Sequence, residues 1–332
     1  MKSKNKLKKN KYTVGSMYAG VGGICLGFIK AGAEITWANE FDKYACQTYK
    51  KNFSHELREV DVWKLNPNKL KKVDIITAGF PCQPFSLAGY QKGFEDERGN
   101  HFFRILYFLN TLKPKAVFLE NVKNLNGHNN GSTISTIKLE LERFNYKVEI
   151  EVLNTSEYGN LPQNRERIFI VGFRNSRNGK NPYFKHFTLP TKIKLKKTID
   201  KFIEKQKVDE KYYYRDDKYM YEDIINVITQ KNTFYQWRRV YVRENKNNQC
   251  PTLTANMGTG GHNVPLILSE YGIRKLTPRE CFKFQGFTTS FKLPKDVSDT
   301  QLYKQVGNSV SIPVVKRIAQ KIIFALERGE NN

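Results

Sequence analysis

The sequence has few of the features that mark secreted, metal-binding or membrane proteins. Its 332 residues include only five cysteines, an odd number at wide spacing without a CxxC pair, so neither a disulfide framework nor a zinc site is indicated. No apolar run approaches the length of a membrane-spanning helix, and the basic N-terminus lacks the apolar core of a signal peptide. These shortages favour a protein that works in a reducing cytoplasm, with no membrane partner.

Acidic residues are scarce as well. The 32 Asp and Glu residues stand against 56 Lys and Arg residues, which leaves a formal net charge of +24. So large an excess opposes compaction and is most simply explained by a polyanionic partner, although other basic enzymes and ribosome-associated proteins share it. At this length the chain can hold one sizeable core and a smaller second domain.

A glycine loop follows the first predicted strand. Residues 12–18 predict a strand, and Gly20, Gly22 and Gly23 come directly before a predicted helix. This order suits a nucleotide-like ligand, because glycines let it approach the backbone and the helix start supplies free N–H donors. The loop departs from the pattern Gly-x-Gly-x-x-Gly, which disfavours a dinucleotide.

Acidic residues stand at the next strand ends. Residues 34–38 predict a strand before Glu40, about twenty residues after the loop, where doubly wound folds place an acid on the ribose hydroxyls. Asp61, beside Val62, occupies a similar place, although helix capping accounts equally well for Asp61 and for Asp42. Together, the glycine loop and the two loops that contain Glu40 and Asp61 favour an adenosyl ligand.

A cysteine follows another apolar, β-branched strand, residues 73–78. Pro81 and Pro84 flank Cys82, which predicts a stiff turn at the carboxyl end of the strand, where open α/β sheets keep their chemistry. Buried cysteines are mostly inert, so the thiol alone does not indicate catalysis. The long polar segment 87–100 predicts a lid or a binding loop.

Several short motifs resemble those of the DNA cytosine-5 methyltransferases, in the same order along the chain. The stretch Pro-Cys-Gln-Pro-Phe-Ser at 81–86 resembles the nucleophile signature, and Glu-Asn-Val at 120–122 resembles the second catalytic motif. Gln-x-Arg-x-Arg at 163–167 and Gly-Asn-Ser-Val at 307–310 extend the resemblance, which covers residues 14–318. Tyr18 and His101 depart from it, since phenylalanine and leucine are common at those positions.

The resemblance implies an α/β fold. The expected catalytic domain has the Rossmann-like sheet of S-adenosylmethionine-dependent methyltransferases, with helices on both faces. A smaller, mostly irregular or β domain is expected to recognise the target DNA sequence. The expected boundaries are 1–185 for the catalytic and cofactor-binding domain, 186–272 for the target-recognition domain, 273–302 for a hinge and 303–332 for the return.

The resemblance also implies a reaction. The Cys82 thiolate adds to C6 of cytosine, and the Glu120 carboxyl group receives the charge that develops at N3. Arg165 orients the base and the glutamate, while Arg167 braces the site. C6 is unreachable inside a stacked duplex, so the base is flipped out, and neither a metal nor a redox cofactor is required.

S-adenosylmethionine is the implied methyl donor, and S-adenosylhomocysteine is the product. The implied cofactor-binding residues are Tyr18, Gly20, Gly22, Gly23, Glu40, Asp61, Val62, Pro81, Asn308 and Ser309.

Residues 236–243 alternate in the manner of one strand, which would place Arg239, Tyr241 and Arg243 on one face. That face suits either guanine edges or phosphates. Thr-Leu-Thr at 252–254 resembles the family's threonine-leucine recognition element, and the glycines after it should approach DNA closely. The predicted DNA-binding residues are Ser86, Gln236, Arg238, Arg239, Tyr241, Arg243, Thr252, Thr254 and Gly260.

Three further segments yield structural predictions. Residues 132–144 predict a helix capped by Ser132, and the basic segment 191–210 has helical spacing. Thr277, Pro278 and Glu280 predict a helix start closed by a capping box.

The resulting hypothesis is a monomeric enzyme that acts on a specific sequence in double-stranded DNA, with a cognate restriction endonuclease that would act independently. A tRNA methyltransferase of the same family is one rival, disfavoured because its cysteine-phenylalanine-threonine segment is missing from the sequence. A nonenzymatic DNA-binding module is another, disfavoured because Cys82, Glu120 and Arg165 are all present. An amino-methyltransferase is the third, and Asn181-Pro182-Tyr183 lacks one proline of its motif.

Overall fold

The computed structural model describes residues 12–81, 101–176, 178–217, 221–238, 241–245, 247–259 and 264–331. Within those residues the chain forms a seven-stranded sheet and a four-stranded sheet. The larger sheet contains β1 (Thr13–Met17), β2 (Glu34–Asn39), β3 (Glu56–Arg58), β4 (Ile75–Gly79), β5 (Ala116–Val122), β6 (Tyr146–Asn154) and β7 (Glu166–Arg174). The helices are α1 (Gly23–Lys30), α2 (Lys43–Lys50), α3 (His101–Leu112), α4 (Ser132–Arg143), α5 (Thr155–Tyr158), α6 (Tyr221–Ile225), α7 (Pro278–Phe284), α8 (Asp299–Asn308) and α9 (Ile312–Glu330).

The strand order of the larger sheet is β3-β2-β1-β4-β5-β7-β6. Strands β1 to β5 are parallel, whereas β7 runs antiparallel to both β5 and β6. The chain leaves β1 toward one edge of the sheet and returns to its other side as β4. Such a reversal opens a crevice beyond the carboxyl ends of the central strands, where doubly wound folds bind their ligands.

Alternating side chains of the central strands pack into two separate cores. Phe118 of β5 joins the core under α1 and α9, whereas its neighbours Val117 and Leu119 join the core under α3 and α4. β7 divides in the same way, with Phe169 and Ile170 on opposite faces. The expected α/β sheet with helices on both faces is confirmed.

The smaller sheet consists of β8 (Phe234–Trp237), β9 (Val242–Asn245), β10 (Leu266–Ser269) and β11 (Gly272–Lys275), in the order β11-β10-β8-β9. All of its paired strands are antiparallel. Tyr235 and Trp237 of β8 pack with Ile224 of α6 in a small core of their own. A third core joins residues from both halves of the chain, for example Leu161, Phe234 and Phe282. The domain boundaries proposed from the sequence stay predictions.

The helix starts follow local chemistry. Gly22 has φ 87° at the start of α1, in the left-handed region that glycine tolerates. The Asp42 carboxylate caps α2 by accepting from the Tyr44 and Ala45 amides. The capping box of Thr277 and Glu280 at the start of α7 is confirmed.

Three local predictions are wrong. Residues 236–243 do not belong to one strand, because β8 ends at Trp237, β9 begins at Val242 and the two strands pair antiparallel as a hairpin. The basic segment 191–210 forms no α-helix: residues 191–198 have no helical structure, and the rest contains only short 3-10 turns such as Ile199–Lys201. The residue before α4 is Gly131, with φ 81°, so Ser132 is the first helical residue rather than its cap.

Within the described residues, no helix combines the length and the apolar character needed to cross a membrane.

Candidate active site

A cavity of about 800 Å³ lies at the carboxyl ends of the parallel strands. The loops after β1, β2 and β4, the end of β5 and the last turn of α8 form its walls, because the strand order brings these segments to one edge. Its lining includes the predicted site residues Tyr18, Gly20, Glu40, Asp61, Val62, Pro81, Glu120, Arg165, Arg167 and Asn308. Predicted cofactor residues and predicted catalytic residues therefore share one compartment.

The carboxylate of Glu40 fastens the glycine loop to the end of β2. Its Oε2 accepts a hydrogen bond from the Gly20 amide at 2.8 Å, and its Oε1 accepts from the Phe41 and Asp42 amides at 2.8 Å each. An added Cβ at Gly20 would meet no atom within 4 Å, so the glycine leaves open space on the cavity wall. At Gly23, by contrast, a Cβ would lie 2.5 Å from the Ser309 hydroxyl, so this glycine permits close packing of the loop on the end of α8.

Aromatic side chains line the end of the cavity that lies near Asp61. The Tyr18 hydroxyl lies 3.1 Å from Nδ1 of His101, whose ring lies 5.9 Å from the ring of Trp63. Burial lowers the pKa of His101, and the charge of Asp61 partly opposes this shift. Asp61 also accepts from the Trp63 amide and so caps the short turn Val62–Lys64, as its alternative interpretation predicted.

Glu120 lies deep in the cavity wall at the end of β5. It pairs in register with Gly79 of β4, and a Cβ at Gly79 would lie 3.5 Å from its carboxylate. Only 7% of Glu120 is exposed, and burial raises the pKa of this carboxyl group, although Arg167 and Arg165 oppose the shift. The group therefore retains a proton to a higher pH than an exposed glutamate does.

The two arginines of the segment before β7 have different contacts. Nε of Arg167 lies 3.3 Å from Oε1 of Glu120, so Arg167 forms the ion pair with the glutamate. Arg165 is 2% exposed and donates instead to the backbone carbonyls of Leu253 at 2.7 Å and Gly307 at 3.0 Å, and to that of Ser309. The structure places Arg165 at the junction of three chain segments, beside Glu120 but not hydrogen-bonded to it.

Four predicted site residues lie outside the described residues: Cys82, Ser86, Arg239 and Gly260. Pro81, immediately before Cys82 in the chain, is described and lines the cavity. The predicted lid or binding loop, residues 87–100, lies outside the described residues as well.

The predicted DNA-binding residues fall into two groups. Gln236 and Arg243 form a cross-strand pair in the hairpin of β8 and β9, and Arg238 donates to the Gln236 side chain at 3.0 Å. Tyr241 lies in the turn and is 60% exposed. Thr252 and Thr254 lie apart from the hairpin.

The threonine hydroxyls serve the fold. Thr252 donates to the Asn164 carbonyl at 2.7 Å, and Thr254 donates to the Asn256 side chain at 2.8 Å. The segment containing Thr252 runs beside Gln163 and Asn164, with a parallel bridge between Gln163 and Cys250. This bridge and the hydrogen bond from Arg165 to Leu253 connect the segment 250–254 with residues beside the cavity.

Several lining residues were not predicted from the sequence. Lys304 of α8 forms a 2.7 Å ion pair with Asp42, which links two walls of the cavity. Trp63 contributes an aromatic wall, and Arg104 of α3 holds the Trp63 segment by donating to the carbonyls of Val62, Trp63 and Leu65. For Trp63, its position two residues after Asp61 was a signal in the sequence that it could line the cavity. The contacts of Arg104 and Lys304 depend on tertiary structure, so the sequence contained no signal for them.

Comparisons with known proteins agree with this geometry. Residues 12–324 match the family described as C-5 cytosine-specific DNA methylase. The chain belongs to this family. The enzyme class predicted from the motifs, DNA cytosine-5 methyltransferase, is confirmed.

Curated relatives match the methylase along most of its length. It is 51% identical over 313 residues to Type II methyltransferase M.Bsp6I of Bacillus sp. (strain RFL6), covering 93% of this chain and 98% of the relative. It is 39% identical over 319 residues to Type II methyltransferase M.HhaI of Haemophilus parahaemolyticus, covering 92% of each chain.

A solved structure shows the same fold at much lower sequence identity. The crystal structure of a mutant of Spodoptera frugiperda DNMT2 has a TM-score of 0.71 at 21% identity, covering 94% of this chain and all of that one. At this identity the similarity shows the fold alone.

Proposed function

We propose that this methylase transfers a methyl group from S-adenosylmethionine to C5 of a cytosine flipped out of a specific duplex sequence. The single observation that carries the proposal is the shared cavity, in which Glu120, Arg167 and Pro81 face the glycine loop and Glu40. A substrate base and a cofactor methyl group must meet within bonding distance, which requires one compartment for both.

The cofactor fits the end of the cavity between the glycine loop and Trp63. Glu40 and Asp61 are the carboxylates placed for ribose and adenine contacts, while Tyr18, Val62 and Trp63 supply apolar and aromatic surface. The backbone hydrogen bonds hold the Glu40 carboxylate in place: Oε1 accepts two of them and Oε2 accepts one, so Oε2 retains a lone pair for a ligand hydroxyl. When bound, the sulfonium supplies the methyl group and leaves as a thioether.

Glu120 acts on the N3 edge of the cytosine. Its raised pKa favours the protonated carboxyl group, which donates to N3 and offsets the negative charge that the ring acquires when a thiolate adds to C6. Arg167 holds the carboxyl group through its 3.3 Å contact. Arg165 acts on the site through the backbone of residues 307 and 309.

Cys82 is the proposed nucleophile. Its sulfur bonds to C6, C5 then bonds to the methyl carbon, a base removes the C5 proton, and the returning electron pair breaks the C6–S bond. Each turnover thus regenerates the thiolate.

The biological role that we propose is modification of DNA beside a restriction endonuclease in a bacterial cell. Support comes from the relatives named Type II methyltransferases, which match over nearly their whole length. The enzyme is proposed to act as a monomer, and its endonuclease to act independently.

Bisulfite sequencing of DNA from cells that express the chain tests this function directly. Protected cytosines should appear at one short sequence context with the wild type and vanish with Cys82→Ala. Protection at no cytosine, or equal protection with the variant, would overturn the proposal.

A further inference from the structure

A row of lysines lies on the surface beside the sheet, apart from the cavity and from the hairpin of β8 and β9. Between Glu166 and Asp200 the sequence contains no acidic residue, and Lys192, Lys194, Lys196 and Lys197 follow one another closely. All four side chains are exposed. The charge of this segment takes no part in the function derived so far.

The segment is fixed in place by its backbone. The amide of Ile193 donates to the carbonyl of Glu157 at 2.8 Å, and the amide of Lys196 donates to the Asn160 side chain at 2.7 Å. Arg317 of α9 donates to the carbonyls of Thr191 and Tyr158 at 2.8 Å each. The lysine side chains therefore project from an anchored support and not from a free loop.

Two further lysines converge on this segment. The last turn of α1 packs on α9 beside Lys316, since a Cβ at Gly27 would lie 3.2 Å from the Lys316 amide nitrogen. Burial lowers the pKa of Lys30, the last residue of α1, and the charges of Lys316 and Lys197 lower it further. Glu157 pairs with Lys192 at 3.0 Å. Lys30, Lys194, Lys196, Lys197 and Lys316, here called the lysine surface, form no ion pair with any residue that the structure describes. Such a cluster of uncompensated cations suits an anionic partner.

The backbone segment that anchors the lysine surface starts at the edge of the sheet where the cavity opens. The last residue of β6, Asn154, pairs with Glu166, and the next residue along, Arg167, pairs with Val122 at the end of β5. The segment after β6, which contains Glu157 and Asn160, therefore starts at the edge that holds Glu120. A duplex with one base in the cavity would extend past this edge.

We propose that the lysine surface binds backbone phosphates of DNA that lie outside the recognised sequence. Such contacts supply sequence-independent affinity, because each neutralised phosphate releases condensed counterions. Lysine suits this task, since its ammonium group contacts phosphate as a point charge without reading bases. The proposal goes beyond the proposed function, as methylation of a short duplex does not require it.

The test compares the variant Lys194→Gln/Lys196→Gln/Lys197→Gln with a control that removes the same charge elsewhere. Lys69, Lys71 and Lys72 are exposed and precede β4, so they lie at the opposite edge of the sheet, and Lys69→Gln/Lys71→Gln/Lys72→Gln is the matched control. Binding is measured against salt concentration with duplexes of about 12 and about 40 base pairs, roughly one and four helical turns. Both duplexes carry the site found by bisulfite sequencing.

On the long duplex, the first variant should bind about tenfold or more weakly, with a slope of log K against log salt that is less negative by about 0.9 for each phosphate that the protein no longer neutralises. Its affinity for the short duplex and its turnover on that duplex should equal those of the wild type. The control variant should bind both duplexes with wild-type affinity. Equal losses on the two duplexes, or equal losses in the two variants, would overturn the proposal. Retained turnover on the short duplex separates failure of this proposal from failure of the methylation chemistry.

Discussion

At the scale of single residues, the two arginines of the candidate site have different roles. The buried Glu120 and the partly buried Arg167 form an ion pair on the cavity wall, whereas Arg165 donates its hydrogen bonds to three backbone carbonyls of other segments. The motif Gln-x-Arg-x-Arg predicted that both arginines matter. The resemblance implied that Arg165 orients the glutamate, whereas in the structure Arg167 contacts Glu120 and Arg165 donates to backbone carbonyls. The difference depends on where the residues of α8 and the Leu253 segment lie, which the motif does not show.

The raised pKa of Glu120 predicts a pH-dependent stability. The folded state holds this proton more tightly than the unfolded chain, in which the pKa is near the ordinary 4.5, so folding stability falls as pH rises from there through the folded pKa. Glu120→Gln mimics the protonated group at every pH. Urea unfolding of both proteins across acidic to neutral pH should show the wild type losing stability relative to the variant as pH rises.

The comparison of the two pH profiles also cancels groups that both proteins share. A stability difference that is constant with pH, or one that favours the wild type as pH rises, would contradict a raised Glu120 pKa. We further expect the variant to lose most of its turnover, because it cannot transfer a proton at N3.

At the scale of elements, the end of α8 is the meeting point of the two halves of the chain. Gly307 packs so closely on the backbone of Thr254 and Ala255 that a Cβ there would overlap both residues. Arg165 bonds the carbonyls of Gly307 and Leu253 on either side of this contact. The glycine of the motif Gly-Asn-Ser-Val thus has a packing role in addition to its place beside the cavity.

Gly307→Ala should therefore destabilise the protein. Inside a helix this change ordinarily stabilises by about 0.5–1 kcal/mol, whereas overlap with a backbone costs about 1–3 kcal/mol. We expect a net loss in the free energy of unfolding and weaker DNA binding. Gly127→Ala is the control, since its φ is −99° and its Cβ would meet no atom within 4 Å. Equal stability of the two variants would contradict the packing role.

The elements that local sequence determines were predicted well. The order strand, glycine loop and helix, and the capping box of Thr277 and Glu280, depend on neighbours in the chain, so the sequence contained their signals. The hairpin of β8 and β9 was missed because residues 238–241, between the two strands, contain no glycine or proline to indicate a turn. All four residues of β8 are buried, so this strand also lacks the polar face that alternation predicts.

At the scale of the whole molecule, a buried ion pair joins the smaller sheet to the segment that returns to the larger one. Arg274 of β11 donates to both oxygens of Glu280 in α7 at 2.8 and 2.7 Å, and neither residue is exposed to solvent. The Glu280 carboxylate also accepts from the amides of Thr277 and Glu204 at 2.7 Å each. The sequence predicted the capping role of Glu280 but not its partner on the adjoining sheet.

Breaking this pair should affect the stability of the entire protein. Arg274→Met leaves a buried carboxylate without its counterion and should lower the free energy of unfolding by about 3–5 kcal/mol. Lys50→Met removes an exposed pair with Glu59 and should leave the free energy of unfolding unchanged. Denaturant unfolding of the two variants checks this difference, and a similar midpoint for both would contradict it.

The net charge of +24 is a property of the whole chain, and it too favours DNA binding. Composition indicated a polyanionic partner but could not show where the charge lies. The position of the anchored lysines is known only from the contacts of their backbone with Glu157, Asn160 and Arg317.

In the proposed mechanism, Cys82 bonds to a cytosine held in the same cavity as Glu120. The most direct test of this step is to incubate the enzyme and S-adenosylmethionine with a duplex that carries 5-fluorocytosine at the target position, where fluorine cannot leave as the proton does. Mass spectrometry of the digested complex should then locate the nucleotide adduct on the peptide of Cys82, with no adduct in Cys82→Ala. An adduct on another residue, or none with an enzyme that methylates ordinary cytosine, would contradict the role of Cys82 as the nucleophile.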